Sequence, residues 1–414
     1  MGCACSLHSN ALVKTRNIPE VAVFAPSLRF PVQSDVHKAV KGLIPRDLAS
    51  KLSSLRNQIV FMAQETGGLA VKELCQALDE YLPYVIGLTN KDHGLQEMIE
   101  FKWKHAEEKR QEVCVANSWF ELLSLIHMMA MLTLTEANSL LIPKGQPASV
   151  DRVVSADSKR QAVDLLLKAS GYLQFCTEDI LVHIPADIRK RLPRDFNDGV
   201  LESISFQVLG QATEIQLGLA FECPNATLSV KRRLACEQLT FFSQAHYCLS
   251  GSDVNQGYGK KHLLFIKWKY LEAKAAAYYF NGLILEKGAE PSSHISAVNC
   301  FIAADELLSN SKKACLSFCL ASPVTRIPPL WGSMKHLYHR IPEVTSRKSQ
   351  MYSYLLEEDK VLQVLPDLPE FQLSLTPDEF TLPEVHSAWD KNNWDIPDHT
   401  LKEHLIDCDD EYEA

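Results

Sequence analysis

No apolar run in this chain is long enough to be read as a transmembrane span. The nearest, residues 122–134, carries Ser124 and His127. It falls short of the roughly 20 residues needed to cross a ~30 Å hydrocarbon core, so it reads as a fully buried helix. Basic excess is lacking too: the net charge of −9 argues against a general nucleic-acid binder, since neutralising phosphates takes surplus Lys and Arg. Cysteine is plentiful, at twelve, yet metal spacing is missing. Cys315-x-x-x-Cys319 has no second ligand pair, and no signal peptide precedes the thiols, so they read as reduced and helix-buried.

Catalytic signatures are equally sparse. Gly257-Tyr258-Gly259-Lys260-Lys261 lacks the four residues a phosphate loop needs between Gly and Gly-Lys, and reads as a solvated interhelical loop. His336-x-x-His339 lacks the spacing and glutamate of a zinc-protease helix. Neither a nucleophile elbow nor a kinase signature set occurs. His127, inside an apolar run, reads as a hydrogen-bonded core residue rather than a base. Asp187, Asp195 and Asp198 around Arg189-Lys190-Arg191 read as a charged surface turn. The expectation is a chain that is not an enzyme and takes no cofactor and no metal.

What the chain does have begins at its start. In Met1-Gly2-Cys3-Ala4-Cys5-Ser6, removal of Met1 leaves Gly2 as amino terminus, with Ser6 where an N-myristoylation signal places it. Cys3 and Cys5 stand beside it as palmitoylation candidates. One myristoyl chain binds membranes only marginally, whereas two acyl chains anchor stably. The expected address is therefore the cytosolic face of an endosomal or plasma membrane, with a cytosolic pool. Bases outnumber acids in the first sixty residues and acids dominate the last fourteen. That distribution suits a basic end drawn to an anionic leaflet and an acidic end repelled from it.

Hydrophobic residues make up 46% of the 414, ample for a core. Residues 1–18 lack periodicity and read as a flexible tail. Residues 21–24 and 28–31 are the convincing strand material, so any sheet is small and early. From residue 47 the pattern is helical, with a second helix from Ala70 ending near Pro83. Ala162, Leu166, Ala169, Leu173, Cys176 and Ile180 mark one continuous helical face, and the same steps recur over 201–219, 226–249, 262–287 and 295–311. Long amphipathic helices without βαβ alternation point to an irregular helical solenoid. After Pro323 a proline-rich segment is expected to run extended over the body, which ends near 385. An acidic, disordered tail is expected over 386–414.

Over residues 100–310 the chain resembles the Bro-one domain family, the ALIX-type domain. The motifs are Phe101-Lys102-Trp103, then 119–126 opening a buried helix, then Lys168-Ala169-Ser170-Gly171-Tyr172. Leu209-Gly210-Gln211-Ala212-Thr213-Glu214 is similar to the family's L-A-Q-A-Q-E stretch. Lys267-Trp268-Lys269-Tyr270 leads into the alanine- and tyrosine-rich 277–282.

The resemblance implies a mainly α, boomerang-shaped domain with a TPR-like core and a small N-terminal β-sheet. It also implies a function: a non-catalytic adaptor whose concave face takes the C-terminal helix of an ESCRT-III subunit, of the charged multivesicular body protein type, in endosomal sorting or membrane remodelling. Carried over residue by residue, with one residue inserted in the preceding loop, the groove's aliphatic pair falls on Val230 and Leu234. Its aromatic falls on Gln216, a departure, with Leu217 and Leu219 as apolar neighbours. That departure keeps a second reading open, a lipidated helical scaffold binding some other peptide.

Overall fold

Apolar residues at three- and four-residue steps become eleven α-helices beside one small sheet among the residues that the computed structural model describes: 19–106, 112–142, 153–250, 257–328, 330–353 and 364–394. The helices are α1 (Val36–Ala39), α2 (Arg46–Thr66), α3 (Val71–Thr89), α4 (Ser118–Leu141), α5 (Ala156–Phe175), α6 (Ala186–Arg189), α7 (Asp198–Glu222), α8 (Leu228–Ser250), α9 (Gly257–Leu285), α10 (Pro291–Leu320) and α11 (Met334–Met351). The long ones pack side by side in chain order from α2 to α5, then α7 to α11. This is the expected helical solenoid, and stacking neighbours is how each amphipathic face is covered.

Two prolines do not stop helices as expected. α3 runs through Pro83 to Thr89. An interior proline costs ~3 kcal/mol, which the burial of Tyr81, Leu82, Val85 and Leu88 around it outweighs. α11, carrying Pro342, forms inside the segment expected to be extended. Met334, Leu337, Ile341 and Val344 give it a buried face, and the Thr345 hydroxyl donates to the Phe301 carbonyl of α10 at 3.0 Å. α4 is, at 24 residues, long and apolar enough to cross a membrane by length and composition, but 89% of its apolar window is buried by neighbouring protein. It is the core helix.

The sheet comprises β1 (Arg29–Pro31), β2 (Glu100–His105) and β3 (Glu112–Ala116), antiparallel in that order, with Phe30 opposite Lys104 and Trp103 opposite Val113. Residues 21–24 are not a strand. Their backbone is satisfied by side chains instead. The Ala22 and Val23 amides donate to Asn138 Oδ1 at 2.7 and 2.9 Å, and Gln211 and Gln207 donate to the Ala22 and Phe24 carbonyls. Two of the expected surface features are also internal. Asp195 pairs with Arg29 at 2.5 Å, both largely enclosed. Lys261, expected in a solvated loop, is fully buried and donates to the Ala321 and Pro323 carbonyls and the Thr325 hydroxyl.

A charged cluster joins sheet to helices. Arg56 Nε donates to Glu121 Oε1 at 2.9 Å, while Trp103 Nε1 and the Tyr81 hydroxyl donate to the same carboxylate at 2.6 and 3.3 Å. Arg56 also reaches the Val32 and Lys102 carbonyls. Nearby, His127 is buried as expected but without the expected hydrogen bond: neither ring nitrogen has a partner, and the ring meets Phe196 edge-on at 5.0 Å. Burial lowers its pKa to about 4, with Asp195 pulling up and Arg29 and His105 pulling down. Burial lowers that of His262 to about 3.

The unfolded chain therefore binds protons at these two sites that the folded one refuses. Stability is full above the ordinary histidine pKa of about 6.5 and falls as pH drops from there toward about 4, by ~1.4 kcal/mol per pH unit for each ring. Urea titrations between pH 4.5 and 6.5 should show His127→Leu lowering the slope of stability against pH by up to ~1.4 kcal/mol per unit relative to wild type. An unchanged slope would mean that the ring is not held neutral.

The chain's last described residues form a strap. Residues 364–394 cross the array from α9 back to α3 in extended form with two short 3-10 turns. Phe371 lies 6.0 Å from the Arg232 guanidinium, the Asp378 amide donates to the Leu167 carbonyl, and Phe380 packs edge-on against Tyr172 and Phe175 of α5. Glycine makes the crossings possible, since a Cβ at Gly171 would overlap the Asp378 carbonyl oxygen. The packed body also extends past 385. His386 stacks on Tyr84, and Trp389 lies on Gly87, where any Cβ would displace it. The remaining tail, 395–414, lies outside the described residues.

Candidate partner-docking face

The α7–α8 hairpin carries the expected groove residues, and its local chemistry explains which of them reach the surface. Gly210 lets α7 approach α8 closely, with the Phe242 ring 3.0 Å from where a Cβ would stand. Gln211 is spent on the Ala22 carbonyl. Glu214 meets Lys269 at 2.9 Å, and Lys269 also meets Glu272 at 3.0 Å. Burial pushes the Glu214 carboxyl up to about 7, against the pull of Lys269. Burial also works against the Lys269 charge, but Glu214 and Glu272 outweigh it and hold that ammonium above its usual range. The Leu209–Glu214 stretch thus builds the fold from inside.

α8 begins at Leu228, with the Thr227 hydroxyl accepting from the Val230 amide at 3.3 Å. On its first turns Val230 is 46% exposed and Leu234, one turn on, is half-buried against the α9–α10 core. Their i, i+4 spacing puts both on one stripe. Leu217 is not beside them on the surface. It is fully enclosed in that same core, because its position on α7 faces α8 and α9. Leu219 is half-buried against the other, N-terminal core, and so shares no cluster with Leu234. Gln216 is half-buried. Of five expected groove residues, Val230 and Leu234 form one face.

That face has an edge invisible to the helix pattern. Arg233 and Glu237 share the Val230–Leu234 stripe and pair at 2.7 Å. Glu237 accepts from the Ser374 amide and hydroxyl, both at 2.9 Å, while Arg233 donates to Ser374 Oγ at 3.1 Å and to the Gln372 carbonyl. The strap therefore runs beside the exposed apolar stripe as a fixed rail. Lys231 lies 5.2 Å over the Phe221 ring, which stacks on His336. An Arg–Glu pair at i, i+4 on an otherwise apolar stripe was the one sequence signal for this fastening. Among the described residues no group of three His, Cys, Asp or Glu is placed to hold a metal ion. Gly2, Cys3 and Cys5 lie outside the described residues.

Comparison with known proteins agrees in kind. A family model described as BRO1-like domain matches residues 26–342. A curated relative, a "BRO1 domain-containing protein BROX homolog" of Caenorhabditis elegans, is 25% identical over 396 residues, covering 87% of each chain. Among solved structures, an ALIX BRO1–CHMP4C complex superposes with a TM-score of 0.60 at 15% identity, over 89% of this chain and 99% of that one. A Bro1 domain described as a basis for endosomal targeting gives 0.55 at 14%, over 85% and 89%. A longer ALIX chain bound to a viral late-domain peptide gives 0.55 at 15%, over 89% of this chain but 48% of that one, so the present chain spans about half its length.

Proposed function

We propose that this chain, which belongs to the BRO1-like domain family, is a non-catalytic adaptor that docks the C-terminal helix of an ESCRT-III subunit on the α8 face. The observation that carries the reading is Val230, a large aliphatic side chain left 46% exposed at i, i+4 from Leu234 beside a rigid rail. Such a stripe suits helix-in-groove recognition, in which an amphipathic helix sets anchors at three- and four-residue steps. Lys231 and Arg232 flank it and favour a partner helix with acidic residues beside its apolar anchors. The complex of a related BRO1 domain with CHMP4C supports the same class of partner. Acylation at Gly2, with Cys3 or Cys5, would tether the domain to the cytosolic leaflet of an endosomal or plasma membrane. Tethering raises the local concentration of a partner assembling there, so a modest groove suffices.

The test is titration of the full chain with the C-terminal helix of each ESCRT-III subunit, comparing wild type with Val230→Asp. Because Val230 is exposed, the variant should melt as wild type does. Truncating or charging an interface anchor costs ~2 kcal/mol or more, about 30-fold in Kd. Binding by wild type that the variant loses supports the adaptor. No binding of any ESCRT-III helix by wild type rejects it and leaves a helical scaffold for another peptide, the reading that Gln216 favours.

A further inference from the structure

Away from the α8 face, α9, α10 and the segment leading into α11 line a half-open cavity of about 490 Å³, within the size range of small-molecule sites. Trp268, Leu316, Ile327, Leu330, Trp331 and Tyr338 give it a predominantly apolar lining. Leu316, Ile327 and Leu330 are 47%, 64% and 41% exposed, an unusual concentration of uncovered aliphatic surface around one opening.

Most of its polar groups are committed; one exception is the exposed Lys312, whose ammonium stands 4.1 Å over the Tyr338 ring. Lys269 is bound to Glu214 and Glu272, Trp268 Nε1 donates to Glu272, and Ser311 donates to the Leu308 carbonyl. A peptide would bring a row of backbone donors and acceptors with little here to satisfy them. A hydrocarbon chain brings none.

The position of the chain's start selects the source of that hydrocarbon. The Pro19 carbonyl accepts from the Arg326 amide at 2.9 Å, one residue before Ile327 on the cavity wall. Val21 and Phe24 then pack against Phe265, Trp268 and Phe318 on the same two helices. The seventeen residues from Gly2 to Ile18 can span up to roughly 55 Å when extended, so an acyl group on Gly2 reaches the opening easily. A short tether also holds it there at ~mM effective concentration.

We infer that this cavity is a binding site for the chain's own N-terminal acyl group, which it shelters from water when the protein is off the membrane. The inference rests on the acylation reading above. It makes membrane attachment switchable: the chain is either in the cavity or in the bilayer.

The full chain should be produced with and without a co-expressed N-myristoyltransferase, with intact mass reporting whether Gly2 is modified. Dansyl-undecanoic acid is then titrated by fluorescence. The unmodified chain should bind it, the myristoylated chain at least tenfold more weakly, and an unmodified Ile327→Asp/Leu330→Asp variant at least tenfold more weakly with unchanged melting. Myristoylated rim variant should also sediment severalfold more with phosphatidylcholine vesicles than myristoylated wild type. Equal probe binding by modified and unmodified wild type overturns the assignment, as does absence of binding by both. A Gly2 that the transferase leaves unmodified rejects the acylation reading itself, and the inference with it.

Discussion

Glu121→Ala should destabilise the protein by about 3–5 kcal/mol, the range for stripping one partner from a buried ion pair. The carboxylate is fully enclosed and takes hydrogen bonds from three side chains on three elements: Arg56 of α2, Tyr81 of α3 and Trp103 of β2. Removing it leaves an uncompensated guanidinium that is 1% exposed, along with an orphaned indole and an orphaned phenol. Denaturant titration followed by both tryptophan fluorescence and circular dichroism measures the loss. Arg56→Met combined with Glu121→Met should cost less than either single change, because a neutral pair needs no compensation. A loss below ~1 kcal/mol for Glu121→Ala would show that the cluster does not hold sheet to helices.

The second large effect is expected at the strap's far end. Trp389 is 3% exposed, donates its Nε1 to the Tyr84 carbonyl at 3.0 Å and stacks on His93 at 4.9 Å. Trp389→Ala should weaken this attachment by about 3–5 kcal/mol, as for large buried aromatics elsewhere. Gly87→Leu should do the same from the opposite side by filling the indole's place. The loss should be local. Hydrogen exchange is expected to speed up along α3 and residues 386–394 while α9 and α10 keep their protection. Acceleration spread evenly over the array would instead make the strap part of one cooperative unit.

How far the sequence foretold all this depends on the range of the interaction. The faces of α5, α7, α8 and α9 were legible because a helix's periodicity is written within the helix. β2 and β3 were not: Val113 and Val115 alternate along Glu112–Ala116 to pack on the core, and Phe101 and Trp103 alternate with lysines, but runs of five or six residues are too short for the pattern to stand out alone. Phe101 and Trp103 stood out through the family resemblance rather than through strand pattern. The strap was legible as proline-rich and extended, but not its route. That route depends on Gly87 and Gly171, helical glycines whose purpose is visible only once another segment lies on them. At the candidate site, Leu217 and Leu234 look alike in sequence. Which is sealed and which is half-exposed depends on the neighbouring helix each one faces.

The strap also changes how the array can come apart and how it is made. A solenoid whose units touch only their neighbours can fray from either end, each unit lost in turn. Here the Tyr84 hydroxyl is hydrogen-bonded to the His386 ring across 302 residues of sequence, so the early helices are held by a segment synthesised long after them. During translation α2 to α5 must stand without that brace, supported by the Glu121 cluster and the α4 core, and the ring closes only once residues 386–394 have left the ribosome. A nascent chain and a finished one are thus topologically different objects, an open row and a closed loop.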